Sequence, residues 1–299
     1  MSNPYLPPEI LDYTIDLLYD NPNALGECCL VSKSWIPRTR KHLFAEVGLL
    51  TEEHVESWKK MFSDPSTSPA HFAKSLRIGC ARAITVEDAE ADGWLRGFVH
   101  IVRLEVETSD MHMDPGGSVI SLVPFHGFSR TIKSLRVKSV DLPPPQIFNF
   151  VLSSPLLEDL TVARYGISVD DDDGSDDPLA LQPSNAPVFT GSLELPLDEG
   201  MKPIASRLLS IPGGIHFRRL VLKWYCSEDL FLTMGLVEEC SHTLESLDVA
   251  RTFYGTSVRY LHPQRELTSF SSRIRAKLSR PIKGNETQGC NFSDRIVGC

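Results

Sequence analysis

The sequence predicts an α/β chain (α+β overall): a small three-helix module over residues 4–45, then an irregular αβ repeat region over 70–254. Three observations predict it. Apolar residues in the first segment recur at helical spacing, interrupted by Asn21-Pro22-Asn23. Beyond residue 70 a short apolar template returns seven times. Between its copies lie either turn residues or further helical patterns.

The first helix opens on Pro7 and Pro8, which suit a first turn because their missing N–H would have no partner there. Glu9 follows at the positive end of the helix dipole. Ile10, Leu11, Ile15, Leu17 and Leu18 form the apolar pattern, with Asp12 and Asp16 expected to face away from it. Leu25, Cys28, Cys29, Leu30 and Val31 make the second apolar stretch, and Trp35 falls one turn beyond Val31 if that helix runs on. Ser34 is placed to cap a third helix that begins near Pro37 and buries Leu43 and Phe44. Three short helices in about 40 residues are too small to bury all these side chains. The surplus faces either the rest of the chain or a partner.

Residues 46–69 read as a linker helix: Thr51 caps it, Glu52 and Glu53 follow, and Val55, Trp58 and Phe62 share a face. Trp58 is expected to pack this helix onto its surroundings. The template then places apolar residues at positions 1, 4 and 6: Ala73/Leu76/Ile78, Ile101/Leu104/Val106, Ile132/Leu135/Val137 and Leu157/Leu160/Val162. A weaker copy, Thr190/Leu193/Leu195, precedes Phe217/Leu220/Leu222 and Leu244/Leu247/Val249. Steps between fourth positions are 28, 31, 25, 33, 27 and 27 residues, overlapping the upper range of leucine-rich repeats. Each copy supplies a strand, and the chain returns by another route, helical at 146–152 and 231–240. Ninth positions hold Ala81, Ser109, Val140, Tyr165, Asp198, Tyr225 and Thr252, where an ordering asparagine is common. The pattern therefore admits two architectures: an open, irregular leucine-rich-repeat-like solenoid, or generic strands of a compact α/β domain.

Leu6-Pro7, Glu9-Ile10-Leu11, Ile15, Leu30-Val31-Ser32-Lys33 and Trp35 stand in the order and spacing of an F-box. The segment resembles the F-box-like proteins of mushroom-forming fungi, and the degenerate repeats extend that resemblance weakly along the chain. The resemblance implies a substrate receptor of a Skp–cullin–F-box ubiquitin ligase, with no catalytic residues of its own. Leu6, Pro7, Glu9, Ile10, Leu11, Ile15, Leu30, Val31 and Trp35 would bind a Skp-type adaptor, and through it a cullin, while the repeats hold an unidentified target protein. Thr14 stands where the family commonly has a hydrophobe. A second reading is an interaction scaffold whose F-box-like segment only packs internally.

Several functions are disfavoured. A net charge of −9 argues against general nucleic-acid binding. No apolar run is long enough for a membrane span, and the first residues lack the features of a secretory signal. Seven scattered cysteines fit reduced thiols in cytoplasm or nucleus. The acidic loop within 168–187 lacks the glycine and glutamate of a calcium loop, with Ser175 and Leu181 in their places, so it reads as a solvated insertion. No phosphate loop, nucleophile elbow or metal-ligand motif is present, and no cofactor or metal is expected. The stretch 255–299 carries no further copy of the template and reads as a flexible basic tail.

Overall fold

The structure is a computed structural model that describes residues 7–64, 67–80, 84–90, 93–107, 121–138, 142, 144–163, 187–197, 202–224, 229–253 and 256–262. The expected acidic loop lies outside them except for Pro187, as does the tail beyond His262.

The chain is mixed α/β. Helices α1 (Pro8–Asp16), α2 (Pro22–Val31) and α3 (Ile36–Leu43) lead into strand β1 (Glu46–Leu49) and helix α4 (Glu52–Met61). Strands β2 (Ser75–Ile78), β3 (Arg103–Glu107) and β4 (Ser134–Lys138) come after it, with short 3-10 turns between them. Helix α5 (Pro144–Leu152), strands β5 (Asp159–Ala163) and β6 (Ser192–Leu197), and helix α6 (Lys202–Leu209) come next. Strand β7 (Arg219–Trp224), helix α7 (Asp229–Glu239) and the pair β8 (Ser246–Phe253) and β9 (Thr256–His262) follow. Among the described residues nine strands form one sheet in sequence order; β1 to β8 are parallel and β9 is antiparallel to β8.

The register explains the template. Val47, Leu76, Leu104, Leu135, Leu160, Leu193, Leu220 and Leu247 stand opposite one another across neighbouring strands. Leu49, Ile78, Val106, Val137, Val162, Leu195, Leu222 and Val249, two residues further along their strands, line the same face, and all sixteen side chains are buried. Alternation makes this the inner face. The returning segments cover it: Trp94, Leu95 and Phe98, then Phe125 and Phe128, then apolar residues of α5, α6 and α7 join the same core.

A second ladder runs at the strand starts. The carbonyl of Ala45 accepts from the amides of Lys74 and Ser75, that of Lys74 from Val102 and Arg103, and that of Val102 from Lys133 and Ser134. Lys133 serves Glu158 and Asp159, Gly191 serves Arg218 and Arg219, and Arg218 serves Glu245 and Ser246 in the same way. At β5–β6, after the longest step, the pattern is interrupted. Glu158 O accepts only from Gly191 N, and the Asp159 carboxylate takes Ser192 N and Ser192 Oγ, each at 2.7 Å. A Cβ on Gly191 would collide with Asp159 Oδ1 and Glu158 O, so the splice needs glycine there.

Four expectations are corrected. Residues 46–69 are more than a linker helix: β1 precedes α4 and is the sheet's first strand, while α4 buries Val55 and sets the Trp58 ring against Phe44, Phe62 and Phe98. Ser34 does not cap α3; Trp35 holds the cap position and the Ser34 hydroxyl lies 2.9 Å from that of Ser32. In the weak copy Thr190 is exposed and Phe189 fills the core position instead, its ring 4.8 Å from that of Phe217. The segment from 255 contains strand β9.

Gly79 approaches the preceding connection closely: an added Cβ would lie 2.5 Å from Leu50 O, whereas one on Gly127 would meet nothing within 4 Å. Gly79→Ala is expected to cost about 1–3 kcal/mol and lower the melting temperature by several degrees. Gly127→Ala should leave it within about one degree, as thermal denaturation of the two variants will show.

Candidate protein-docking surface

Helix α1 is apolar on two sides. At 3.6 residues per turn, Leu11, Ile15 and Leu18 fall on one arc, and Ile15 is buried at 1% exposure. Ile10, Tyr13 and Leu17 fall on another arc and are 50%, 64% and 61% exposed. Between them on one flank lie Glu9, Asp12 and Asp16; on the other lies Thr14, whose hydroxyl donates to Ile10 O at 2.8 Å.

Asp16 does not face away as the pattern suggested. Its carboxylate accepts from Arg38 Nε at 2.6 Å and pairs with the same guanidinium's second nitrogen, and His42 Nε2 lies 2.7 Å from Oδ1. Both partners belong to α3, so the carboxylate ties α1 to α3. The hydrogen bonds from Arg38 and then His42 hold the Asp16 carboxyl well below the usual carboxylate range.

Helix α2 begins under an Asn21 cap, whose side chain accepts from Ala24 N at 3.1 Å, and it buries Leu25 and Cys28. It stops at Val31, because Ser32 is extended. Val31 and Trp35 therefore do not continue one helix. Trp35 instead starts α3, its carbonyl accepting from Thr39 N and Thr39 Oγ1. The α2 terminus presents Leu30 at 88% exposure and Val31 at 65%. Beside α1, Tyr19 is also exposed.

Of the residues the F-box resemblance implies for adaptor binding, Pro7, Glu9, Ile10, Leu30 and Val31 are exposed, while Leu11 and Trp35 are half-buried. Ile15 is interior in this chain, so its surface role is corrected: it packs within the helical segment. Leu6 lies outside the described residues. Tyr13 and Leu17 are not among the contacts the resemblance implies, although their spacing from Ile10 places them on its face.

The sheet's other face is polar. Arg77 pairs with Glu105 and Glu107, Lys138 with the same two acids, Arg103 with Glu46, and Glu194 with Arg136 and Lys223. This arrangement resembles no catalytic constellation. Burial pushes the Cys80 thiol up to about 11 and the Cys240 thiol up to about 12, so neither is a ready nucleophile at neutral pH. Among the described residues no group of three or more His, Cys, Asp and Glu is placed to hold a metal ion, and no helix is long and apolar enough to cross a membrane. Comparisons with protein-family models, curated proteins and solved structures gave no match.

A carboxyl held low in the folded state adds stability above its unfolded pKa, near 4, and loses that contribution as pH falls. Asp16→Asn should therefore melt below wild type at neutral pH. The gap should narrow as pH drops below about 4, which melting curves of both proteins across acid pH will test.

Proposed function

We propose that this chain is the substrate-receptor subunit of a Skp–cullin–F-box ubiquitin ligase, its three helices acting as an F-box and its repeats as an irregular leucine-rich-repeat-like solenoid. The observation that carries the reading is the surplus of apolar surface on the helical segment. Ile15, Leu25 and Cys28 are buried, while Ile10, Tyr13, Leu17, Leu30 and Val31 stay largely exposed. Several large apolar side chains left exposed on one short helical segment are the kind of surface that marks an interaction site. That Leu30 and Val31, along with Ile10 and Pro7, stand where the family places adaptor contacts supports the same conclusion. The scaffold alternative, in which this segment only packs internally, leaves these exposed side chains without a role.

In this reading the chain supplies proximity. The adaptor, and through it a cullin, is held at α1 and α2, and a target protein on the polar sheet face is brought near a thioester carried by another protein. The compartment would be cytoplasm or nucleus.

Co-purification with a Skp-type adaptor tests the proposal. Wild type is expected to form a one-to-one complex. Leu30→Asp and Ile10→Asp, both at exposed positions, should each weaken it at least tenfold while melting as wild type. A folded wild type that forms no complex, or variants that bind undiminished, would remove the docking assignment.

A further inference from the structure

Resting on that docking assignment, we infer that the protein surface seated on α1 is apolar with lysine or arginine along one edge only, the edge facing Glu9 and Asp12. The exposed arc of α1 is bordered unequally. On the Tyr13 side lie Glu9, Asp12 and Asp16; on the Ile10 side lies Thr14, with its hydroxyl already bonded to Ile10 O. Asp16 is already paired with Arg38 and hydrogen-bonded to His42. Glu9 and Asp12 are exposed, and their carboxylates make no ion pair or hydrogen bond among the described residues; Asp12 feels Arg38 only at longer range.

Asp20, exposed in the turn after α1, and Glu27 on α2 add two more open carboxylates, against Lys33 as the cation before α3. A partner covering Ile10, Tyr13 and Leu17 therefore takes water away from the Glu9 carboxylate, which borders Tyr13, while Asp12 lies farther round the same flank, beyond Asp16. Uncompensated, that desolvation opposes docking; a basic edge on the partner turns it into attraction. The asymmetry also fixes orientation, because turning the partner end for end would set its cations against Thr14.

The test measures affinity of the full chain for a Skp-type adaptor between about 50 and 500 mM salt, beside Glu9→Gln/Asp12→Asn. The wild-type affinity is expected to fall about tenfold over that range. The neutralised variant, melting as wild type, should bind about tenfold more weakly at low salt and lose the salt dependence. A complex that is insensitive to salt, or a variant that binds as wild type, overturns the inference and leaves the receptor reading standing. If no adaptor complex forms, the receptor reading fails and an amphipathic leucine/lysine peptide replaces the adaptor as probe, with a leucine/glutamine peptide as control. Preference for the lysine peptide, lost both in Glu9→Gln/Asp12→Asn and in Tyr13→Ser/Leu17→Ser, sustains the inference; equal binding overturns it.

Discussion

No strand of this protein can bury its own leucine. Leu104 is covered because Leu76 and Leu135 lie on either side and the returning chain lies beneath, and the same holds at every step of the sheet. Strand order therefore follows chain order. The shared carbonyls at the strand starts make the dependence strict, since every one of them but Glu158 O takes two amides from the next unit. Where the chain takes its longest excursion, the Asp159 side chain substitutes for a missing backbone contact, and stacking resumes. The first rung is Ala45 O, one residue beyond Phe44, and Ala45 N itself bonds to His42 O in α3. The helical segment is thus joined to the sheet with almost no slack.

The polar face has its origin in the same alternation. Strand positions between the buried ones point outward, and in this chain acids and bases there stand on neighbouring strands and pair across them. Exposed pairs of this kind contribute little each. Their consequence is that the face is largely neutralised by its own residues, so a molecule resting on it would be selected by shape and short-range bonds more than by a long-range field. The α1 flank, with Glu9 and Asp12 open, is of the opposite character.

Most of the sheet is legible in the sequence because its signal is local and repeated: a leucine, one outward residue, then a second apolar residue. β1 is harder to see although Phe44, Val47 and Leu49 fit the same spacing; valine replaces the leucine, and the helical pattern after it is the stronger signal. Helix α6 is only eight residues long, too short for its periodicity to stand out. Phe189 escapes the template because one additional residue, Thr190, stands between it and the regular rung Gly191, which only three-dimensional register reveals. On the docking surface, spacing correctly separates a helix with apolar residues but cannot say which of two apolar arcs is inside. Ile15 and Ile10 look alike in sequence; the packing of α1 on α3 decides between them. Asp16 reads as solvent-facing because its partners, Arg38 and His42, are distant in the chain.

That clamp bears on the proposed docking although it lies away from the exposed arc. Fully burying an aliphatic or aromatic side chain yields about 1.5–3 kcal/mol, and the residues of the α1 arc are already partly covered. Three of them therefore return only a few kcal/mol, comparable to the lower end of the roughly 4–15 kcal/mol lost on association. The arc on α1 is too small to hold a partner by itself. Leu30 and Val31 at the end of α2 offer further exposed apolar area, and in the proposed reading a partner would gain from reaching both helices. Both α1 and α2 pack on α3, and Asp16 fixes α1 to it through Arg38 and His42. With the carboxylate bonded, the two patches are presented in one arrangement before any encounter. Without it, their ordering would have to be added to the cost of association.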